Sequence, residues 1–371
     1  MTSSKIAHVP TRDVRLSEVQ VDRELLVKQA SLSIAIFIGF CFVFIINKWM
    51  PDRFGADSGA IGLVVEGVPN TLDASFVLPG EIYAFLGLNT STKAGLANFF
   101  IYSLVFIWAV YRRLSTYSVF QVVLMAISLV LGAVFLGQYS KDVFVLVVVV
   151  AFLAARSSWK SEVVVVLSLG LYATIFRDYW WLILACYLTF RILTMHKITI
   201  LRIVIIGLGI LAVESVGFHY FLRIDLDHYR DQVNLARIQS DSVNTLISRI
   251  APLGGMFGGW LNSVLIMFTL IVPIPLLLLG GIYYWAITAF ILVLWILFFR
   301  RVQISQCNSQ QTRLICLICS VLVTQSIFEP DFGSYLRHMT PLLPLFMITI
   351  QPTKAEVLHE SSDRMMKSMH R

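Results

Sequence analysis

VFVLVVVVAFLAA, Val143 to Ala155, begins directly after Ser140-Lys141-Asp142 and closes on Arg156. A wholly apolar run of this length, held between charged residues, exceeds an ordinary core strand and reads as a helix in hydrocarbon. Comparable runs recur along the chain. Of its 371 residues 57% are hydrophobic and 14% charged, and mean hydropathy is +0.78. The fold class that follows is all-α: a polytopic integral membrane helical bundle of about 10 to 11 transmembrane helices. A soluble enzyme is excluded, the lipid bilayer is the first partner, and nothing points to nucleic acid.

Working outward from this run, basic residues set the orientation, because lysine and arginine collect on cytoplasmic loops. The polar residues 1–30 carry Lys5, Arg12, Arg15, Arg23 and Lys28, with no apolar core and cleavage site, and so read as a cytoplasmic tail. The transmembrane domain then covers 31–351, and 352–371 form a second cytoplasmic tail with Lys354, Arg364, Lys367 and Arg371. A first span, Ser31 to Ile46, leads to an outside loop, 48–94, in which glycine and proline predict no long helix. Further spans run near Leu96 to Tyr111, Val119 to Leu136, Val143 to Ala155, Val163 to Ile175, Leu182 to Leu193 and Ile203 to Gly217. A second outside loop, 218–258, alternates Asp225, Asp227, Asp231 and Asp241 with Arg223, Arg230, Arg237 and Arg249, the pattern of a structured, solvated cap.

The next stretch decides the sidedness of everything after it. If Trp260 to Leu279 and Ile282 to Phe299 both spanned, Arg300 and Arg301 would fall outside, against the charge rule. The segment Trp260 to Pro273 is therefore expected to re-enter or lie in the interface, bent at Pro273-Ile274-Pro275. Proline removes a backbone donor, and irregular backbone at that depth is tolerated only under protein or beside water. Ile282 to Phe299, Leu314 to Phe328 and a short Thr340 to Ile350 complete the bundle, with both termini inside.

That topology gathers ionisable groups at the outer face: Lys141 and Asp142, Arg177 and Asp178, and Glu329, Asp331, Arg337 and His338 within EPDFGSYLRHMTPLLP, Glu329 to Pro344. Charges at the mouth of a span are expensive unless paired or used. Basic groups beside Tyr179, Trp180, Trp181 and Tyr335 suit a phosphorylated headgroup, since guanidinium forks match phosphate oxygens and aromatic rings anchor or stack. The five cysteines lie in or beside apolar runs, so no disulfide framework is indicated, and Cys316-x-x-Cys319 reads as two small apolar residues one turn apart. Asp225-Leu226-Asp227 has the form of a nucleotide-sugar motif but lies on the outside, where nucleotide sugars are absent. No metal-ligand spacing is present.

The layout resembles that of the bacterial oligosaccharide-repeat-unit polymerases, the O-antigen (Wzy-type) group of polytopic enzymes that use lipid-linked sugars. The residues that carry it are Ser140 to Asp142, Phe176-Arg-Asp-Tyr-Trp-Trp181 and the Glu329 to Pro344 segment, and the hydropathy profile extends it over the whole chain. The family's long outside loop corresponds to 218–258, which is modest in size. The resemblance implies a polysaccharide polymerase of the bacterial inner membrane that needs no cofactor or metal. It would join undecaprenyl-diphosphate-linked oligosaccharide units into an O-antigen, capsule or exopolysaccharide, with chain-length regulator and flippase proteins as partners. The leaving group is a diphosphate, so fixed positive charge is the main catalytic need. Arg177 and Arg337 are its expected source, with His338, Asp331 or Glu329 as base for the acceptor hydroxyl. Lys141, Asp142, Tyr179, Trp180, Arg249 and Tyr335 are the expected substrate-binding residues. Asp52 or Asp57 is a weaker candidate base.

Two other classes fit parts of the pattern. A lipid-linked oligosaccharide flippase would also want outward arginines, but it should carry charge along a path through several spans and paired broken helices. A glycan acyltransferase could use His338 with an acid and would need a route for its acyl donor.

Overall fold

In hydrocarbon each backbone N–H and C=O must be satisfied within its own segment, so apolar runs of this kind become helices. The computed structural model describes residues 11–49, 52–68, 74–195, 197–237, 245–304 and 309–351, and among these it is helical with no strand beyond one isolated bridge, Leu246 to Asp331. In chain order the helices are α1 (Thr11–Trp49), α2 (Asp52–Val65), α3 (Ala74–Phe85), α4 (Ser91–Val110), α5 (Val119–Leu136), α6 (Val145–Ala154), α7 (Trp159–Ile175) and α8 (Trp180–Leu193). They continue with α9 (Ile200–Gly217), α10 (His228–Arg237), α11 (Gly255–Ile271), α12 (Ile274–Leu279), α13 (Ile282–Ile304), α14 (Ser309–Phe328), α15 (Phe332–Met339) and α16 (Leu343–Thr349).

Among the described residues, six helices are long and apolar enough to cross a membrane: the Arg23–Trp49 part of α1, then α4, α5, α9, α13 and α14 with short extensions. The protein is therefore an all-helical membrane protein. The run quoted first becomes a 3-10 turn, Asp142–Phe144, followed by α6, whose ten residues rise only about 15 Å. α8 and α11 are likewise apolar but short. α14 is the central post, with 94% of its most apolar window buried, against α8, α9, α11 and α16. Its apolar middle, Leu314 to Val323, is buried all round, as suits a helix inside a bundle.

Three expectations change. The N-terminal tail is helical from Thr11 and continuous with the first span. The first outside loop contains two helices, α2 and α3, packed as a hairpin. Of its glycines, Gly67 and Gly87, both at positive φ, close α2 and α3, while the others lie inside these helices. Most of Trp260 to Pro273 is regular helix, packed between α9 and α14, with Trp260 Nε1 donating to the Leu208 carbonyl. The break falls after Ile271, where Pro273 and Pro275 interrupt the ladder and α12 folds against α13. The tail 352–371, His196 and Asp241 lie outside the described residues.

The two ends of α5 show how the bundle holds its termini apart. At one, Ser118 and Gln121 form a capping box and Gln121 Nε2 donates to the Ile350 carbonyl at 3.0 Å. At the other, about 27 Å along the helix, α4 meets the Gly137–Asp142 loop so closely that a Cβ on Gly95 would lie 2.1 Å from the Gly137 carbonyl oxygen. Neither partner is a flexible side-chain tip, so the backbones must separate. Gly95→Ala is expected to destabilise the protein by about 1–3 kcal/mol, read as a lower unfolding midpoint in detergent with fluorescence detection. An unchanged midpoint would contradict this packing.

Candidate functional site

The Gly137–Asp142 loop is pinned from three helices. Asn47 Nδ2 donates to the Gly137 carbonyl at 2.7 Å, Asn98 Nδ2 to the Gln138 carbonyl at 2.8 Å, and the Tyr83 hydroxyl to the Ser140 carbonyl at 2.8 Å. Buried polar groups are held only where partners satisfy them, and here they fix the approach of Lys141 and Asp142. The α7–α8 turn is set by aromatic packing: Phe176 stacks between Phe144 and Tyr172, with ring centroids 4.8 and 5.2 Å apart, and Trp180 meets Tyr172 at 4.4 Å. Arg177 is thereby turned inward. α15 starts on an N-cap, the Asp331 side chain accepting from the Ser334 N–H at 2.8 Å. Its last turn carries Arg337 and His338.

These segments meet at one point. Arg177 Nη2 donates to Asp142 Oδ1 at 2.7 Å, and its Nη1 donates to the Tyr179 hydroxyl at 2.8 Å. Arg337 reaches Asp142 Oδ2 through Nε at 3.3 Å and Asp57 Oδ2, on α2, through Nη1 at 3.0 Å. Lys141 Nζ lies 3.5 Å from the same Asp57 oxygen. His338 Nδ1 contacts Glu329 Oε2 at 2.9 Å, and its Nε2 contacts Arg177 Nη1 at 3.0 Å. A guanidinium only donates, so Nε2 is the acceptor and the proton of the neutral ring sits on Nδ1, facing Glu329.

The cluster opposes three carboxylates, Asp57, Asp142 and Glu329, to three side-chain cations, Lys141, Arg177 and Arg337, with His338 between Glu329 and Arg177. Side-chain exposure orders it in depth: Glu329, Asp142 and Arg177 form a floor at 2%, 3% and 8%, while Lys141, His338, Arg337 and Asp57 form a rim at 12% to 24%. Burial pushes the Lys141 ammonium down to about 8, the charge of Arg177 adding to it against Asp57 and Asp142. Burial also acts to raise the Asp57 carboxyl, but Arg337 and Lys141 outweigh it and hold it below its ordinary value. Glu329 Oε1 and the Nε atoms of Arg177 and Arg337 are buried without a hydrogen bond.

Not every expected residue is here. Asp331 caps α15 and pairs with Arg237, which accounts for it without a role as base. Tyr335 is buried on the opposite face of α15, accepting from Trp295 Nε1 at 3.0 Å, and Trp180 is packed under the turn. Arg249 belongs to a second network in the cap formed by the loop before α11, bidentate to Asp227 at 2.9 and 2.6 Å. Beside it the fully buried Arg230 donates to the Ser326 carbonyl at 2.9 Å and so clamps the cap onto the end of α14. Asp57, expected only as a weaker candidate base, joins the cluster through Lys141 and Arg337, and only an acid in the right loop advertised it. A further cluster was not foreseen at the other end of the bundle, where Glu162 accepts from Tyr187 at 2.5 Å, Arg191 at 3.1 Å and Arg313 at 3.0 Å. Among the described residues no group of three or more His, Cys, Asp and Glu side chains is arranged to hold a metal ion.

No protein-family model, curated protein or solved structure matches the chain. What the site does must therefore be argued from its own chemistry. It offers fixed positive charge, an imidazole with an acceptor nitrogen oriented by a carboxylate, and a tyrosine, all at one mouth of a membrane bundle.

Proposed function

We propose that the protein is a glycosyltransferase that polymerises polyprenyl-diphosphate-linked oligosaccharide repeat units into a bacterial surface polysaccharide. The observation that carries this reading is the convergence of three distant segments, Lys141-Asp142, Arg177 with Tyr179, and Glu329 with Arg337 and His338, into one buried charged cluster. A diphosphate leaving group calls for preorganised cations away from bulk water, and the acceptor hydroxyl calls for a base with a free lone pair. In the proposed step His338 Nε2 takes the hydroxyl proton once Arg177 Nη1 has turned away from it. The freed oxygen forms a bond to the anomeric carbon of the donor chain. The bond from that carbon to the diphosphate breaks, and its electron pair leaves on the diphosphate oxygen, facing Arg337 and Lys141. Glu329 keeps the imidazole in the required tautomer.

In this reading the bundle lies in the cytoplasmic membrane with about 10 to 11 crossing or partly crossing helices and both termini inside. The cluster faces outward, because Arg112, Arg113, Arg156, Lys160, Arg191 and Arg313 gather at the opposite end. Long-chain formation requires no nucleotide sugar there. Deleting the gene is expected to leave single repeat units on the lipid acceptor at the cell surface, read on an electrophoretic polysaccharide ladder. Loss of surface sugar altogether would point to a flippase, full-length chains lacking an acyl group to an acyltransferase, and an unchanged ladder would refute the proposal.

A further inference from the structure

We infer that Asp57 is an internal stand-in for the substrate's phosphate: its carboxylate fills the anion place between Lys141 and Arg337, and a lipid diphosphate displaces it as the α2–α3 hairpin moves aside. This rests on the reading of the cluster as a lipid-diphosphate site. The Asp57 Oδ2 atom lies 3.0 Å from Arg337 Nη1 and 3.5 Å from Lys141 Nζ, yet it is buried without a hydrogen bond of good geometry. Arg337 Nε also lacks one. A single planar carboxylate supplies one charge and poor directionality to two cations. A phosphate oxygen set supplies more charge and can meet the guanidinium fork and the ammonium together.

The rest of the hairpin covers the same lysine. Lys141 Nζ lies 3.3 Å from Ser75 Oγ and 3.6 Å from the centroid of the Phe76 ring, both at the start of α3. The hairpin rests on a small apolar cluster of its own, Ile61, Tyr83, Ala94 and Tyr139, separate from the main core. Elements held by a satellite cluster open more readily than core helices. The lowered Lys141 value fits this too: the carboxylates in place do not offset its burial beside Arg177.

The test uses the full chain in detergent, with farnesyl diphosphate and inorganic diphosphate as probes and affinity read from ligand-dependent thermal shifts. Asp57→Asn is expected to bind farnesyl diphosphate about tenfold more tightly than wild type, and adding Arg337→Ala to abolish the gain. Loss of a carboxylate beside two cations tightens anion binding by charge alone, so the gain supports displacement only together with weaker binding by the locked hairpin described next, and equal or weaker binding by Asp57→Asn overturns the displacement. Because Asp57→Asn removes a buried charge, a second variant holds the hairpin instead. Ser58 and Ser91 have their Oγ atoms 3.2 Å apart, so Ser58→Cys with Ser91→Cys, oxidised, should bind at least about tenfold more weakly and recover on reduction. Wild-type binding of the lipid probe with no gain in Asp57→Asn and no loss in the locked pair overturns the displacement and leaves the lipid-diphosphate reading intact. No binding by wild type and Asp57→Asn alike overturns both. An equal gain for inorganic diphosphate supports displacement by the diphosphate itself. A gain confined to inorganic diphosphate overturns the lipid as occupant.

Discussion

Asp142→Asn is expected to abolish polymer formation and to lower the unfolding midpoint of the purified protein by at least about 5 °C. Asp142 is the node of the cluster: one carboxylate oxygen accepts from Arg177 at 2.7 Å and the other faces Arg337 at 3.3 Å, and its side chain is 3% exposed. An amide keeps the shape but carries no charge, and only its oxygen can accept, so two guanidinium groups lose their common counter-ion. Removing one partner of a buried ion pair costs about 3–5 kcal/mol, because the other charge stays desolvated. The substitution thus couples loss of the site to loss of stability. Asp142→Glu restores charge while shifting the oxygens, and should recover stability more than activity. Thermal unfolding in detergent checks the claim; an Asp142→Asn midpoint within a degree of wild type would show that the carboxylate is not holding the two arginines.

Arg337→Ala separates the two effects. Its side chain belongs to the solvent-reached rim at 19% exposure, so water can replace part of what the ion pairs to Asp57 and Asp142 contribute. Membrane level should change little and the unfolding midpoint should fall less than in Asp142→Asn, because Arg177 still pairs with Asp142, while transfer should fall by about 100-fold or more, as it does when one preorganised donor to a developing negative charge is deleted. Arg337→Lys should recover little of it, since an ammonium reproduces neither the fork nor the reach of guanidinium. Complementation of a deletion strain, scored on the polysaccharide ladder with membrane level measured alongside, reads this directly. Long chains in the Arg337→Ala strain would remove Arg337 from the mechanism. Arg177→Ala should also lose long chains, but with a stability penalty, because Arg177 is on the floor and bonds Asp142, Tyr179 and His338.

Much of this was legible before any coordinates. Hydropathy alone located α5 to the residue, Val119–Leu136, and identified the apolar cores of α4, α9, α13 and α14. It could not tell lipid from protein as surroundings, since both are apolar. So the central place of α14 and the ten-residue length of α6 emerged only from packing. Lys141, Asp142, Arg177, Glu329, Arg337 and His338 were legible as a charged cluster because charge is rare in such a chain and these residues fall at span ends on one face. Side-chain direction was not. Tyr335 and Arg337 sit two residues apart on α15, yet one faces Trp295 in the core and the other the cluster. Asp331 was readable as a helix cap from Asp-x-x-Ser spacing, a local rule that explains it more simply than catalysis. Asp57 and Arg249 depended on how the outer loops fold back, which no local pattern in those loops specifies.

Charge balance changes how the site is understood. A cluster that read in sequence as an excess of outward cations is matched one for one by carboxylates in the fold. Positive charge is therefore not simply displayed to the substrate. On the displacement proposal it would be held neutral until an anion competed for it, which would keep buried cations tolerable in the free protein and favour an anion of higher charge than a carboxylate.

Transfer of glycan from a lipid diphosphate by this cluster can be followed with purified protein in lipid nanodiscs supplied with the polyprenyl-diphosphate-linked repeat unit isolated from a deletion strain. The products are followed by mass spectrometry. Wild type is expected to form chains of two or more units with one polyprenyl diphosphate released per new linkage, and Arg337→Ala at equal protein to form none. Intact repeat units after incubation with folded wild type, or equal extension by Arg337→Ala, would contradict transfer by this cluster.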